Sequence, residues 1–237
     1  KTLALPISDE PWAGYDRYLG VKFSSVYSRV HSFIHQNIAP LISKAPIPME
    51  RVKRGIVSLS EPDILMRFAK IYSFFSADMK SQLYKGVLKE RFDLAPYGKM
   101  ERLRDLQKNV KSLDPLSQML YIDTRANLPD DLLMVADKTA MANSLEVRVP
   151  FLDYRLIEFI ESLPPSLKLN WTTGKYLHKK ALTKWLPHEV VFRKKKGFAH
   201  PIANWLKTSM GPLVEDCLLS DSSAISHYFN QDYISIL

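Results

Sequence analysis

Along most of the chain, apolar residues recur every three to four positions, the spacing of one helix face rather than the alternation of a strand. A wide stripe through Val26, Tyr27, Val30, Phe33, Ile34 and Ile38 predicts a helix from about Phe23 to Ile42. Ser60-Glu61-Pro62-Asp63 reads as a helix start, followed by a stripe of Ile64, Phe68, Ile71 and Phe75. Residues 78–111 are charged and broken by Pro96 and Gly98, and read as a loop-bearing excursion with one or two short helices. Asp114-Pro115 sets a capping carboxylate before an N1 proline and opens a helix carrying Leu116, Met119, Leu120 and Ile122.

Leu128-Pro129-Asp130-Asp131 is a turn that starts a helix through Leu132, Leu133, Met134 and Val135. Asp153 is placed to cap a helix holding Leu156, Ile157 and Ile160, which Leu163-Pro164-Pro165 ends. Gly174 precedes a helix with Tyr176, Leu177, Ala181, Leu182 and Trp185 inward and Lys175, Lys179, Lys180 and Lys184 pointing mostly elsewhere. Pro201 and Pro212 each fit the first turn of a short helix. Only Leu145–Val149 and Ser166–Asn170 read as extended. The architecture expected is mainly α, without a complete parallel sheet or an internal repeat.

Composition narrows the class. With 237 residues and 46% hydrophobic positions, the chain can bury a core and is not expected to be disordered. A single cysteine, Cys217, excludes an internal disulfide and a multi-cysteine zinc site. No apolar run approaches the roughly 18 residues that span a bilayer, and Lys1–Glu10 lacks a secretory pattern. The expectation is a soluble, cytoplasmic chain. Because it begins at Lys1 without methionine, it reads as a processed product or a fragment.

Charge adds a location. The net charge is +8, and between Lys168 and Lys196 nine Lys or Arg face one acid, Glu189, so the whole excess sits there. Such a field implies an anionic partner: phosphate, nucleic acid or acidic lipid.

Three constellations can carry chemistry. In an extended Ser144–Asp153 segment, Glu146 and Arg148 share one face while Leu145, Val147 and Val149 pack on the other. A carboxylate beside a guanidinium can hold a polar substrate or tune a base, and can equally be a structural ion pair, with Asp153 a helix cap. In Arg193-Lys194-Lys195-Lys196-Gly197-Phe198, cations suited to phosphate precede a glycine that lets backbone approach a ligand. The plainer readings are a solvated face or a nuclear-targeting run. In Ser8-Asp9-Glu10, adjacent carboxylates can ligate magnesium or favour a helix N-terminus. His31 and His35 have helical spacing, but Ser32 stands where a zinc-protease glutamate would, and no third ligand is near. No glycine-rich Walker loop occurs.

Taken together, these segments resemble the synthetase domain of glutamine-hydrolysing asparagine synthetases. Leu128–Leu133, Asp137-Lys138, Met141-Ala142 and Ser144–Asp153 follow the family's order and spacing. So do Leu163-Pro164, Lys168, Gly174-Lys175, Leu186-Pro187, Arg193, Lys195, Gly197-Phe198, Pro201 and Trp205-Leu206. Asp9-Glu10 with Gly14-Tyr15-Asp16-Arg17-Tyr18 is similar to the family's acid-bearing motif. The resemblance implies the C-terminal helical portion of an adenine-nucleotide alpha-hydrolase-like (PP-loop ATP pyrophosphatase type) domain, spanning 1–237. It further implies ATP and magnesium as cofactors, adenylation of the aspartate side chain, and ammonia from a separate glutaminase domain that displaces AMP. Lys195 would meet the activated intermediate, with Arg193 assisting at phosphate. Asp9, with Glu10, would hold magnesium. Glu146 would support the acceptor site as a catalytic group, with Arg148 and Asp153 at or behind the substrate. A homodimer is compatible with this reading, and neither nucleic acid nor membrane is required.

Departures are visible. The pyrophosphate loop that opens the family's synthetase domain and the N-terminal cysteine nucleophile of its glutaminase domain are not in this sequence, and Leu5, Pro6 and Ile7 replace glycines before Asp9. Ala199-His200 replaces a glycine-containing pair. By itself the chain is not expected to make asparagine. Alternatives are a paralogue amidating another carboxylate, such as a sugar acid, a catalytically inactive relative, and a helical nucleic-acid-binding module. The last would bind DNA or RNA with strong salt dependence.

Overall fold

The computed structural model describes residues 2–5, 7–22, 61, 63–96, 98, 100–193, 201–220 and 223–237. The predicted Phe23–Ile42 helix, the His31/His35 pair and the Lys194–His200 run lie outside the described residues. The architecture is mainly helical, as the periodicity predicts, and divides into two compact units: Lys1–Ile71 with Met100–Phe192, and Tyr72–Lys99 with Arg193–Leu237.

The first unit is built around the Pro115–Arg125 helix. Asp114 caps it, its Oδ1 accepting from Ser117 N–H at 3.0 Å, and Pro115 occupies the first turn, where no N–H is needed. Its Leu116, Met119, Leu120 and Ile122 are buried, as predicted. Asp123 on the same helix is also fully buried, an arrangement that is costly unless donors meet the carboxylate. Arg17 Nη2 donates to its Oδ2 at 2.8 Å, and the Tyr18 hydroxyl donates to the same oxygen, which fastens the 17–22 helix to this one. Arg125 makes a two-pronged pair with Glu161 of the Tyr154–Ser162 helix, whose Ile160 is completely buried.

Two short sheets complete the unit. Strand β1 (Thr2–Ala4) pairs in parallel with β2 (Glu146–Arg148), with Leu3 opposite Val147. Strand β3 (Leu169–Asn170) pairs antiparallel with β4 (Thr173–Gly174), the turn between them holding Trp171 at φ 48°.

In the second unit Ser76 caps the Ala77–Leu83 helix, its hydroxyl accepting from Met79 N–H at 3.2 Å. Tyr84 bridges to Phe229, with Lys85 N–H to Tyr228 O and Asn230 N–H to Leu83 O both at 2.8 Å. These bonds tie the Ala77–Leu83 and Gly86–Leu94 helices to the end of the chain, where Ala224–His227 and Gln231–Ile234 form short turns.

Several expectations change. Residues 78–111 hold three helices, the third being Glu101–Lys108, because a cap at Ser76 and a left-handed Gly86 supply starts that apolar counting does not register. The stripe that opens at Ile64 stops at Tyr72, where a new cap follows, so Phe75 is outside the helix and exposed. Helix entry there is set by Asp63, whose Oδ1 accepts from Leu65 and Met66 N–H at 2.8 Å each. Ser166–Asn170 is extended only at Leu169–Asn170, since Pro165 at N1 starts a helical turn over Pro165–Lys168. The Tyr176–Leu182 helix ends before Trp185, which is 73% exposed rather than inward.

Replacing Asp114 by Ala should lower stability by about 1 kcal/mol, and Ile160→Ala by about 2–5 kcal/mol. Urea denaturation checks both, and an Ile160→Ala cost no larger than the cap loss would contradict the core placement.

Candidate active site

Strand β1 delivers the acid motif to the edge of the Glu146–Arg148 segment. The parallel pairing continues past Ala4, with Leu5 N–H donating to Arg148 O at 2.9 Å. Two constellations about 140 residues apart in sequence are therefore neighbours. The Ser8–Ala13 turn that follows closes with Gly14 N–H on Asp9 O at 2.7 Å.

The third participant is Lys175. Its ammonium pairs with Asp9 Oδ1 at 3.0 Å and donates to Ser8 Oγ at 3.1 Å, while its backbone N–H donates to Trp12 O at 3.0 Å. Glycines make this approach possible. A Cβ on Gly14 would stand 2.1 Å from Asp9 Oδ1 and 2.5 Å from Lys175 Cε. A Cβ on Gly174 would stand 2.2 Å from Ala13 O. Ala13 and Lys175 both take left-handed backbone, φ 55° and 54°, as the chain folds back on itself.

Next to Asp9, Glu10 is fully buried and accepts from the Tyr15 hydroxyl at 2.8 Å. Burial pushes the Glu10 carboxyl upward, against the hydrogen bond from Tyr15, and burial beside Glu10 pushes the Tyr15 phenol strongly upward. The Arg17 guanidinium lies 3.8 Å from the Tyr15 ring centre. On the other side, His178 packs between Trp12 and Phe151, with ring centres 5.2 Å from each. Burial, then the Lys175 charge, lowers the His178 pKa, which favours neutral imidazole. Residues 8–15, Phe151 and 174–178 thus meet in one place.

The predicted residues fall as follows. Asp9 is one-fifth exposed and held by Lys175, whereas Glu10 has no exposed surface. Glu146 and Arg148 share a face, as the extended reading requires, and pair with each other at an exposed edge. Asp153 caps the Tyr154–Ser162 helix through Arg155 N–H at 3.0 Å, and the Arg155 guanidinium holds its carboxyl down at about 2. Arg193 is exposed and belongs to the second unit, while Lys195 lies outside the described residues. Lys175 was expected to point mostly elsewhere and instead grips Asp9; the signal was Gly174 directly before it. Tyr15 and Tyr18 carried no sequence signal beyond their place in the resemblance, and Asp123 carried none.

The sequence profile of the family described as Asparagine synthase matches residues 8–237. The chain belongs to the asparagine synthase family. It is 30% identical over 234 residues to "Asparagine synthetase [glutamine-hydrolyzing] 1" of Bacillus subtilis, covering 96% of this chain and 34% of that protein. It is 44% identical over 102 residues to "Putative asparagine synthetase [glutamine-hydrolyzing]" of Mycobacterium tuberculosis, covering 43% of this chain and 15% of that protein. A third relative is "Amidase chyE" of Penicillium rubens, at 32% over 111 residues, 44% of this chain and 16% of that protein. The chain therefore spans about a third or less of the length of these relatives. No solved structure matches it.

Two outcomes follow from this geometry. Gly174→Ala places a methyl group against a backbone carbonyl that cannot rotate away, so it should cost about 1–3 kcal/mol in urea denaturation. Glu10 contributes stability that is fully present below its ordinary value of 4.5 and is lost as pH rises through its raised folded value. Glu10→Gln should therefore gain on the parent protein at pH 8 relative to pH 4; a pH-independent difference would contradict the burial argument.

Proposed function

We propose that this chain forms part of an ATP-dependent amidotransferase that adenylates a carboxylate and converts it to an amide with ammonia, aspartate being the first candidate substrate. The observation that carries the reading is the Asp9–Lys175 pair, set just after the strand that joins Glu146–Arg148, with family membership beside it. In the proposed reaction, a carboxylate oxygen of the substrate attacks the α-phosphorus of ATP and pyrophosphate leaves. Ammonia then attacks the acyl carbon, AMP leaves, and the nitrogen sheds its proton to give the amide.

Asp9 is the acid we assign to magnesium, because its side chain reaches the surface. Among the described residues no group of three or more His, Cys, Asp or Glu could hold a metal. A nucleotide-bound magnesium needs no such group, since phosphates and waters supply most of its ligands. When bound, the ion would neutralise charge on the departing pyrophosphate. Glu10, buried under Tyr15, fits better as the support that fixes the Asp9 turn. Lys175 keeps the Asp9 carboxylate in one place, and Lys195, with Arg193, is assigned to phosphate and the activated intermediate. Glu146 and Arg148 are assigned to the acceptor side, with Asp153 behind them as a cap.

A second reading, a catalytically inactive relative, has its own observation. Leu5 is used to extend the β1–β2 pairing where the family's glycines would leave backbone open to a ligand. Exchange of labelled pyrophosphate into ATP, run on the intact protein with aspartate and with other acids, separates the readings. Exchange with aspartate supports the first. Exchange only with another acid supports a paralogue. No exchange with any acid supports the second. For the first reading, Lys195→Ala should lower exchange roughly 10²-fold, while Lys194→Ala and Lys196→Ala change it little.

A further inference from the structure

A second polar centre sits in the first unit, away from the Asp9–Lys175 pair. Lys168 is only 3% exposed, although it stands at the head of the basic segment and would be expected to project into water. Its ammonium makes one long hydrogen bond, to the Glu161 backbone oxygen at 3.4 Å. The neighbouring acids are partly engaged. Both Glu161 carboxylate oxygens serve Arg125, and Asp114 Oδ1 caps its helix. An ammonium carries three donors, so this buried cation lacks acceptors for most of its hydrogen-bonding capacity. Burial lowers its pKa, against the fields of Glu161 and Asp114.

Lys168 lines a small, partly open cleft. Pro11, Leu113 and Leu120 form apolar wall, and Ser117, Tyr121, Thr124 and Glu161 add polar groups. That combination, a buried cation with donors to spare beside an aliphatic wall, is complementary to a small acid with a hydrocarbon body. The carboxylate side of the cleft disfavours a multiply charged phosphate, because Glu161 would repel it.

We propose that this cleft is a binding site for a small monocarboxylate, its oxygens on Lys168 Nζ and its aliphatic part against Pro11, Leu113 and Leu120. The site is separate from the Asp9–Lys175 centre and does not depend on the amidotransferase reading. Pro11 directly follows Asp9-Glu10, so the occupant would lie against the back of the acid motif.

Sodium isobutyrate, with isobutyramide and inorganic phosphate as comparison probes at constant ionic strength, tests the assignment by ligand-observed NMR on the intact protein. The expected result is saturable binding of isobutyrate, weaker or absent signals for the other two, and affinity reduced about tenfold or more in Lys168→Met. Ser117→Leu, which fills the cleft and leaves the lysine in place, should abolish binding too and guards against misfolding of the first variant. Equal binding of isobutyrate and isobutyramide, unchanged affinity in both variants, or no binding of isobutyrate to the parent protein would each overturn the proposal.

Discussion

The contact between Asp9 and Lys175 is possible only because two glycines leave room for it. Gly14 lies under the ion pair, and Gly174 lets the second strand of a small hairpin touch the Ala13 carbonyl. Everything proposed for the site inherits its position from this close approach. The acid motif is held from one side by strand pairing to Glu146–Arg148 and from the other by the Gly-Lys turn. Behind it, the Asp123 carboxylate gathers Arg17 and Tyr18, so the residues that follow the motif are anchored to the central helix.

Charge is therefore used in two ways in this molecule. Lys175 and Lys168 both belong to the basic segment, yet neither is a freely solvated cation. The sequence places the excess of positive charge but not the depth at which each ammonium lies. A lysine stem is long and apolar enough to carry its head into a cleft, and nothing in the one-dimensional pattern distinguishes that from projection into water.

What was legible in the sequence was local. Asp114-Pro115, Asp153 and the Leu163-Pro164-Pro165 stop act within a few residues, and the structure agrees with each. The shared face of Glu146 and Arg148 followed from the two-residue period of a strand. The partner of that strand did not, because a parallel pairing between Thr2 and Glu146 depends on everything folded between them. The depth of Glu10, the grip of Lys175 and the exposure of Trp185 and Phe75 were missed for the same reason. Each depends on what packs against the residue, or on where a neighbouring cap cuts the helix short. Family resemblance supplied the grouping of these motifs that spacing alone left open, and the Asp9–Lys175 pair brings two of them into contact.

Lys175 sits at φ 54°, a backbone geometry that glycine or asparagine adopts with less cost than lysine. A glycine there would ease the chain and remove the cation that pins Asp9. The position thus sets backbone ease against the ion pair. The cation that holds Asp9 is thus carried on backbone that strains a lysine, so the turn stores part of what the ion pair returns.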